Sequence, residues 1–199
     1  TSISRDVFSS CGKLTFVTIP SGVTFMGNNL FMGCGSLNAI SMPNNPKSIG
    51  SNAFLSCYSL TSAIIPNSIT DIDGGAFQNC SSLAYVIIPN TVKNIGSSVF
   101  QNCSALTSIT IPNSVISLGE AAFQACISLT TIMSGIEKPF EIGSNTFSDD
   151  TYTIAELIVP KGTKALYQAT EGWNKFTNST EVAGEEEVSE FYVDGIYYD

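Results

Sequence analysis

Apolar and polar residues alternate along this chain in short segments that return every 23 residues. A typical segment, "LTSITIP", alternates around Ile109 and Ile111, which predicts a short β-strand with one buried face. A second apolar position is followed by glycine, as at Ile49-Gly50, and the few residues after it predict a tight turn or one helical turn. One unit cannot bury its apolar face alone, so we expect successive units to stack with their strands in a parallel sheet.

Three residue types mark the repeat most clearly. Phenylalanine, cysteine and leucine each keep the 23-residue interval through six copies. The cysteines are Cys11, Cys34, Cys57, Cys80, Cys103 and Cys126. A seventh, degraded copy begins at Ile142 and ends at Pro160, with two extra residues and no cysteine. The pattern therefore predicts a repeat protein of about seven 23-residue units over residues 1–160.

Equivalent residues of stacked copies form columns, so all six cysteines are predicted to line the interior as inert, unbonded thiols. Neighbouring strands hold Cβ atoms about 4.8 Å apart, whereas a disulfide requires about 3.8 Å. A zinc site is not supported either, because the chain has no histidine and no C-x-x-C pair.

Composition narrows the function classes. Of the 199 residues, 43% are hydrophobic and 13% are charged, which is typical of a chain with a buried core. No apolar stretch is long enough to span a membrane. The formal net charge is −9, but the last 19 residues hold seven acids and no base, so the rest is near balance. Because no basic stripe is present, nucleic acid is not an expected partner.

The acidic residues do not form a recognisable catalytic pair. Asp71 and Asp73 are close in sequence, but the matching positions of the next copies hold no carboxylate, so we interpret both as turn residues. Asp149-Asp150 lies in the irregular seventh copy and is interpreted as a loop or a weak calcium site. The lack of histidine removes the commonest general base. We therefore predict no enzyme activity, no cofactor and no metal centre.

The unit I-G-x-x-A-F-x-x-C-x-x-L-T-x-I-x-I-P resembles the BspA-like, or Treponema pallidum-type, leucine-rich-repeat family over about residues 1–160. The segment "VPKGTKALYQATEGWNKF" resembles the closing segment of that family. The resemblance implies a right-handed leucine-rich-repeat solenoid, with a parallel β-sheet on one face and short turns or strands on the other. It also implies an extracellular protein, secreted or on the bacterial cell surface, that acts in adhesion and has no catalytic residues.

The residues of the closing segment also predict a cap. Thr163 can cap a short helix that runs to about Thr170, and Gly172 can stop it. Trp173 and Phe176 would then cover the open end of the core.

The chain is thus predicted to contain a solenoid over 1–160, a C-terminal cap over 161–180 and a tail over 181–199. In the tail, "GEEEVSE" is typical of a solvated acidic linker. The segment "FYVDGIYYD" resembles the opening of a further module and carries a hairpin signal at Asp194-Gly195. Because the sequence starts in the middle of a copy, we expect more sequence to precede it in the whole protein.

Residues between the inward positions of each strand face outward and are the candidates for partner binding. Ile64, Tyr85 and Ile87 are predicted to form an apolar patch on adjacent repeats, and Phe16 and Met133 are further outward apolar residues. A protein, such as a host extracellular-matrix protein, is the first hypothesis for the partner. A glycan partner and a structural spacer that presents another module are the alternatives.

Overall fold

The computed structural model describes residues 1–182 and shows a β-solenoid of about eight coils. The strands are, in chain order, β1 (Ser2–Ile3), β2 (Phe16–Thr18), β3 (Phe25–Met26), β4 (Ala39–Ser41), β5 (Ser48–Ile49), β6 (Ser62–Ile64), β7 (Asp71–Ile72), β8 (Tyr85–Ile87), β9 (Asn94–Ile95), β10 (Ser108–Ile111), β11 (Ser117–Leu118), β12 (Thr131–Ser134), β13 (Glu156–Val159) and β14 (Asn178–Glu181). Two short helices, α1 (Asp149–Ile154) and α2 (Lys164–Ala169), and a 3₁₀ turn (Trp173–Lys175) lie in the last coils.

The strands form two faces of the solenoid. The strands of three or four residues, namely β2, β4, β6, β8, β10, β12, β13 and β14, form what we call the long-strand face. The two-residue strands β1, β3, β5, β7, β9 and β11 form the short-strand face.

All strand pairs are parallel, and the register follows the repeat. Ile64 pairs with Ile87 and Ile49 pairs with Ile72, so residues one repeat apart lie side by side. This confirms the predicted stacking in a parallel-sheet solenoid. The eighth long strand, β14, pairs with β13 and was not foreseen, because its sequence "NSTE" lacks the apolar alternation of the other strands.

The segment that follows each Ile-Gly position forms tight turns, one of the two shapes that the sequence pattern allows. In each turn two residues have a positive φ, at positions that repeat along the solenoid. The first set is Asp6, Asn29, Asn52, Gly75, Ser98 and Ala121, and the second is Ser10, Gly33, Ser56, Asn79, Asn102 and Ala125. Backbone N–H groups of one turn donate to the next coil, as from Phe54 to Ala76 at 2.7 Å. The turns are therefore joined along the solenoid by regular backbone hydrogen bonds.

The core is built from columns of identical residues. Seven phenylalanine rings stack with centroid separations of 5.1 to 5.5 Å and interplanar angles of 4° to 16°. The rings belong to Phe8, Phe31, Phe54, Phe77, Phe100, Phe123 and Phe147. Trp173 and Phe176 contact the last ring, that of Phe147, so they cover this end of the core as predicted.

The cysteine column is buried at five of its six positions, and all six thiols are free. Each buried Sγ lies 3.0 to 3.2 Å from a phenylalanine carbonyl oxygen of the preceding coil, to which it donates. The thiol thus fills the core as a small apolar group and also supplies a weak donor. The prediction that all six cysteines are buried is wrong for Cys11, which is exposed in the first described coil.

The C-terminal cap contains the predicted short helix, α2, but its ends differ in detail. The predicted capping role of Thr163 is wrong. Its side chain makes no cap hydrogen bond, because its hydroxyl donates to the carbonyl oxygen of Pro160 at 2.7 Å instead. Gly172 lies beyond the helix with φ 85°, and a Cβ there would come within 2.4 Å of Ile142. Glycine is required at this position because any side chain would meet both strain and a clash.

The predicted tail begins at the last strand. Glu181 ends β14, and its carboxylate accepts a hydrogen bond from the backbone N–H of Lys164 at 2.9 Å. The remainder of the predicted acidic linker and the predicted hairpin at Asp194-Gly195 lie outside the described residues.

Candidate binding surface

The outward side chains of the long-strand face form two columns. The Tyr85 column contains Phe16, Ala39, Ser62, Tyr85, Ser108, Thr131, Glu156 and Asn178. The Ile87 column contains Thr18, Ser41, Ile64, Ile87, Thr110, Met133, Ile158 and Thr180. Alternation along each strand places the two columns on the same side, about two residues apart along the strand direction.

The structure brings the three residues of the predicted patch together. Ile64 and Ile87 are register partners on β6 and β8, so they are neighbours in one column. Tyr85 is two residues before Ile87 on β8, and the buried Val86 between them points into the core. Ile64 is 54% exposed, whereas Tyr85 and Ile87 are half-buried. The patch therefore presents two aliphatic side chains beside one aromatic ring.

Two other predicted residues lie apart from this patch. Phe16 is 57% exposed on β2, and β4 separates it from the strand of Ile64. Met133 is half-buried on β12, and Thr110 on β10 lies between it and Ile87 in the column.

One apolar residue of this surface was not predicted from the sequence. Ile158 is the register partner of Met133 and is half-buried, so the two form a second apolar pair in the Ile87 column. The extra residues of the seventh copy moved Ile158 out of the 23-residue series. The local alternation of apolar residues could have identified Ile158 as an outward residue, because Leu157 and Val159 on either side are buried in the core.

Charge is nearly absent from the two columns. Glu156 is their one charged residue, and its carboxylate accepts a hydrogen bond from the Thr180 hydroxyl at 2.8 Å. Charged side chains such as Lys47, Asp71 and Lys93 lie at the short-strand face instead. Depletion of charge together with aromatic and methionine side chains is typical of the centre of a protein interface.

The two aspartates considered as a catalytic pair are held at the short-strand face. Asp71 lies in β7, and the prediction of a turn is wrong for it, because its strand pairs with those before and after it. Hydrogen bonds of 2.6 Å from Thr70 and Asn94 lower the pKa of its carboxyl group. Burial, reinforced by the charge of Asp71, raises the pKa of Asp73. Within residues 1–182, no group of three or more potential metal ligands could hold an ion.

The loop interpretation of Asp149-Asp150 is also wrong. Both residues begin helix α1, where acidic side chains favour the first turn. The Asp149 carboxylate lies 3.1 Å from the Lys175 ammonium group, which also sits 4.2 Å above the centre of the Tyr152 ring. The pair links α1 to the 3₁₀ turn of the cap.

The stacked coils and the solvent-facing parallel sheet define a leucine-rich-repeat solenoid. The family model described as "BspA type Leucine rich repeat region" matches six copies, over residues 1–130 and 47–181. The chain belongs to this family, as its repeat unit predicts. Leucine-rich-repeat proteins of this kind are generally protein-interaction modules, and no helix within residues 1–182 has the length and apolar character needed to cross a membrane.

Solved bacterial structures have the same fold. A T. pallidum leucine-rich-repeat protein (TpLRR) is 28% identical, with 64% of this chain and 71% of that chain covered and a TM-score of 0.53. A leucine-rich cell surface protein from Faecalibacterium prausnitzii A2-165 is 26% identical, with 80% and 59% covered and a TM-score of 0.50. The pneumococcal vaccine antigen PcpA, at 17% identity, covers 93% and 60% with a TM-score of 0.60 and supports the fold alone. The chain thus spans about three fifths of the length of the last two proteins. A search of curated proteins found no match.

Proposed function

We propose that this protein is a non-enzymatic recognition module that binds a protein partner through its long-strand face. The observation that carries this proposal is the patch of Ile64, Tyr85 and Ile87, which lies in two outward columns that carry no charge from β2 to β12. Tyrosine flanked by aliphatic side chains is typical of residues that contribute most to protein binding. Phe16 and Met133 are proposed as peripheral contacts on the same face.

The polar residues around the patch support a protein partner. Ser62, Ser108 and Thr131 lie in the same column as Tyr85 and carry small hydroxyl groups. Serine and tyrosine together provide adaptable hydrogen bonding and rigid contact area, as in antibody binding loops. Regular rows of hydroxyl groups suited to a glycan are interrupted by Ile64, Tyr85 and Met133, so a protein is favoured over a glycan.

We further propose an extracellular location, on the bacterial cell surface or after secretion, and a host extracellular-matrix protein as the partner. The support is family membership and the likeness to a solved protein described as a leucine-rich cell surface protein.

Surface plasmon resonance against immobilised fibronectin, laminin and collagen, in parallel with a glycan array, tests this function. We expect binding to at least one matrix protein and a loss of about tenfold in affinity, roughly 1.4 kcal/mol, when Tyr85→Ser and Ile87→Ser are combined. Ile116→Ser is the matched control, because Ile116 is 65% exposed beside β11 on the short-strand face.

Three outcomes would contradict the proposal in different ways. Binding that survives the double substitution would remove the patch as the site. Glycan binding alone would replace the protein partner by a saccharide. Absence of binding both to the matrix proteins and to the glycan array would favour a structural spacer.

A further inference from the structure

A polar cavity lies where the turn of the sixth copy meets the seventh copy and the 3₁₀ turn of the cap. Its volume is about 450 Å³, within the range of about 300–1,000 Å³ that is usual for small-ligand sites. Its polar lining consists of Gln124, Ser144, Asn145, Ser148, Asp149 and Lys175, which all lie outside the long strands. We propose that this cavity binds one neutral sugar residue, such as the terminal residue of a glycan.

A column of glutamine side chains leads to the cavity. The Gln78 amide donates from Nε2 to Oε1 of Gln101 at 2.5 Å, and the Gln101 amide donates in the same way to Gln124 at 2.9 Å. Hydrogen bonds in such a chain polarise one another, so the donor at the end of the chain is strengthened. That donor is Nε2 of Gln124, which lines the cavity.

The seventh copy does not continue this column. Phe147 pairs with Phe123, so the next position in the column is occupied by Ser148. Serine is too short to continue the series, and its Oγ already accepts a hydrogen bond from the backbone N–H of Ala125 at 2.6 Å. Nε2 of Gln124 therefore has no acceptor among residues 1–182 and can donate to a ligand in the cavity.

The charges of the lining cancel one another. The Lys175 ammonium group lies 3.1 Å from the Asp149 carboxylate and donates to the Ser144 carbonyl oxygen at 2.9 Å. These two side chains are the charged residues of the lining. An anionic or cationic ligand would meet one like charge for each opposite charge, so the cavity favours a neutral ligand.

The remaining groups of the lining suit a ligand that carries several hydroxyl groups. In the described part of the chain, the Asn145 amide, the Ser144 hydroxyl and Oδ2 of Asp149 have no hydrogen-bond partner, so donors and acceptors are both presented. A hydroxyl group can donate and accept at once, and a sugar carries several of them on neighbouring carbons. Phe147, the apolar residue of the lining, is 1% exposed, so an apolar ligand would find almost no surface to contact.

Saturation-transfer NMR of the full chain with D-glucose, D-galactose and D-mannose tests the site, with D-glucuronate and D-glucosamine as charged counterparts. At least one neutral hexose should bind saturably, with a dissociation constant of about 1 mM, and the charged sugars should bind at least about tenfold more weakly. Asn145→Ala and Gln124→Met should each weaken hexose binding about fivefold, because each removes hydrogen-bonding groups from the lining. Asn38→Ala, at an exposed asparagine of the second copy, is the matched control and should bind as the wild type does.

This inference is independent of the function proposed above, and the two can fail separately. Combined Tyr85→Ser and Ile87→Ser should leave hexose binding unchanged, and its loss would overturn the cavity as the site. Hexoses that do not saturate, or charged sugars that bind as tightly, would overturn the choice of ligand. Hexose binding that folded Asn145→Ala and Gln124→Met both retain in full would also overturn the site. If Gln124→Met does not fold, Ser144→Ala at an exposed residue takes its place in this test.

Discussion

At the residue scale, the turn in each copy of the repeat depends on residues with positive φ, a backbone conformation that most side chains disfavour. Twelve turn positions have positive φ, and asparagine, serine, glycine or aspartate occupies ten of them. Ala121 and Ala125, with φ of 55° and 57°, are the exceptions. An alanine held in the left-handed region costs about 1 kcal/mol. Ala121 and Ala125 are therefore the turn positions at which the residue type fits the backbone conformation least well.

Replacing Ala125 by asparagine should stabilise the protein. Asparagine tolerates positive φ better than alanine, and the preceding coils already have Asn79 and Asn102 in this column, joined by a 2.7 Å side-chain hydrogen bond. We expect Ala125→Asn to raise the free energy of unfolding by about 1 kcal/mol in urea titrations. Ala84→Asn, at an exposed position without positive φ, is the control. Equal stability of the two variants would contradict the role of backbone strain.

The thiols give a second prediction at this scale. Burial raises the pKa of Cys57 and Cys126 to about 12, and it also raises the pKa values of Cys80 and Cys103. A native chain treated with an aromatic disulfide reagent near neutral pH should therefore react at Cys11 and slowly elsewhere. Cys11→Ser should abolish the fast reaction, and denaturation should release the other five thiols. Rapid reaction of several thiols in the native chain would contradict the buried column.

The same pKa shifts predict loss of stability in alkali. The folded pKa of the Cys57 and Cys126 thiols is raised to about 12 and the unfolded value is 9.0, so the unfolded state loses its proton first as the pH rises. The thiol contribution is complete below pH 9.0 and falls as the pH rises towards 12. Urea unfolding midpoints should be nearly constant below this window and fall within it. Midpoints that stay level up to pH 12 would be inconsistent with buried, protonated thiols.

At the scale of elements, the helix of the cap is held by a buried hydrogen-bond network. The Tyr167 hydroxyl donates to the Ile136 carbonyl oxygen at 2.8 Å and lies 2.5 Å from the Ser134 hydroxyl. Ser134 is buried where the two preceding coils have Ile88 and Ile111. The polar residue is accommodated in the core because α2 brings a matching hydroxyl to it.

Tyr167→Phe should remove the hydroxyl group that joins α2 to β12 and should not create a cavity. The substitution leaves the Ser134 hydroxyl and the Ile136 carbonyl without their buried partner, which costs about 1–3 kcal/mol. Urea unfolding measures this loss, and Tyr58→Phe at a 52% exposed position is the matched control. Identical stabilities would mean that the network does not hold the cap.

The 23-residue period decides which parts of the fold can be predicted from the sequence. A strict period placed the core columns correctly, because one register error would misalign every copy. It could not reveal that Ser134 meets Tyr167, since that contact joins two segments that do not repeat. It could not reveal the exposure of Cys11, because the 23-residue interval places this residue in the same column as the five buried cysteines. Ile158 of the binding surface was missed where the period itself broke.

At the scale of the whole molecule, charge is segregated from the proposed binding surface. The long-strand face has one charged side chain, Glu156, in its two outward columns, whereas charges surround the short-strand face. Partner binding through the long-strand face should change by less than about threefold between about 0.05 and 0.5 M salt, because screening acts on charge pairs that this contact lacks. Surface plasmon resonance at several salt concentrations measures this slope. A steep decrease of affinity would assign the binding to another surface.

The backbone hydrogen bonds between turns have a consequence for how this protein can change over generations. Over the six regular copies each coil offers its neighbour nearly the same set of donors and acceptors, so one of these coils is interchangeable with the next. Recombination between equivalent points of two copies would remove or add one whole unit and leave every junction intact. The length of the array, and with it the reach of the protein, can therefore vary in steps of 23 residues without redesign of the interior.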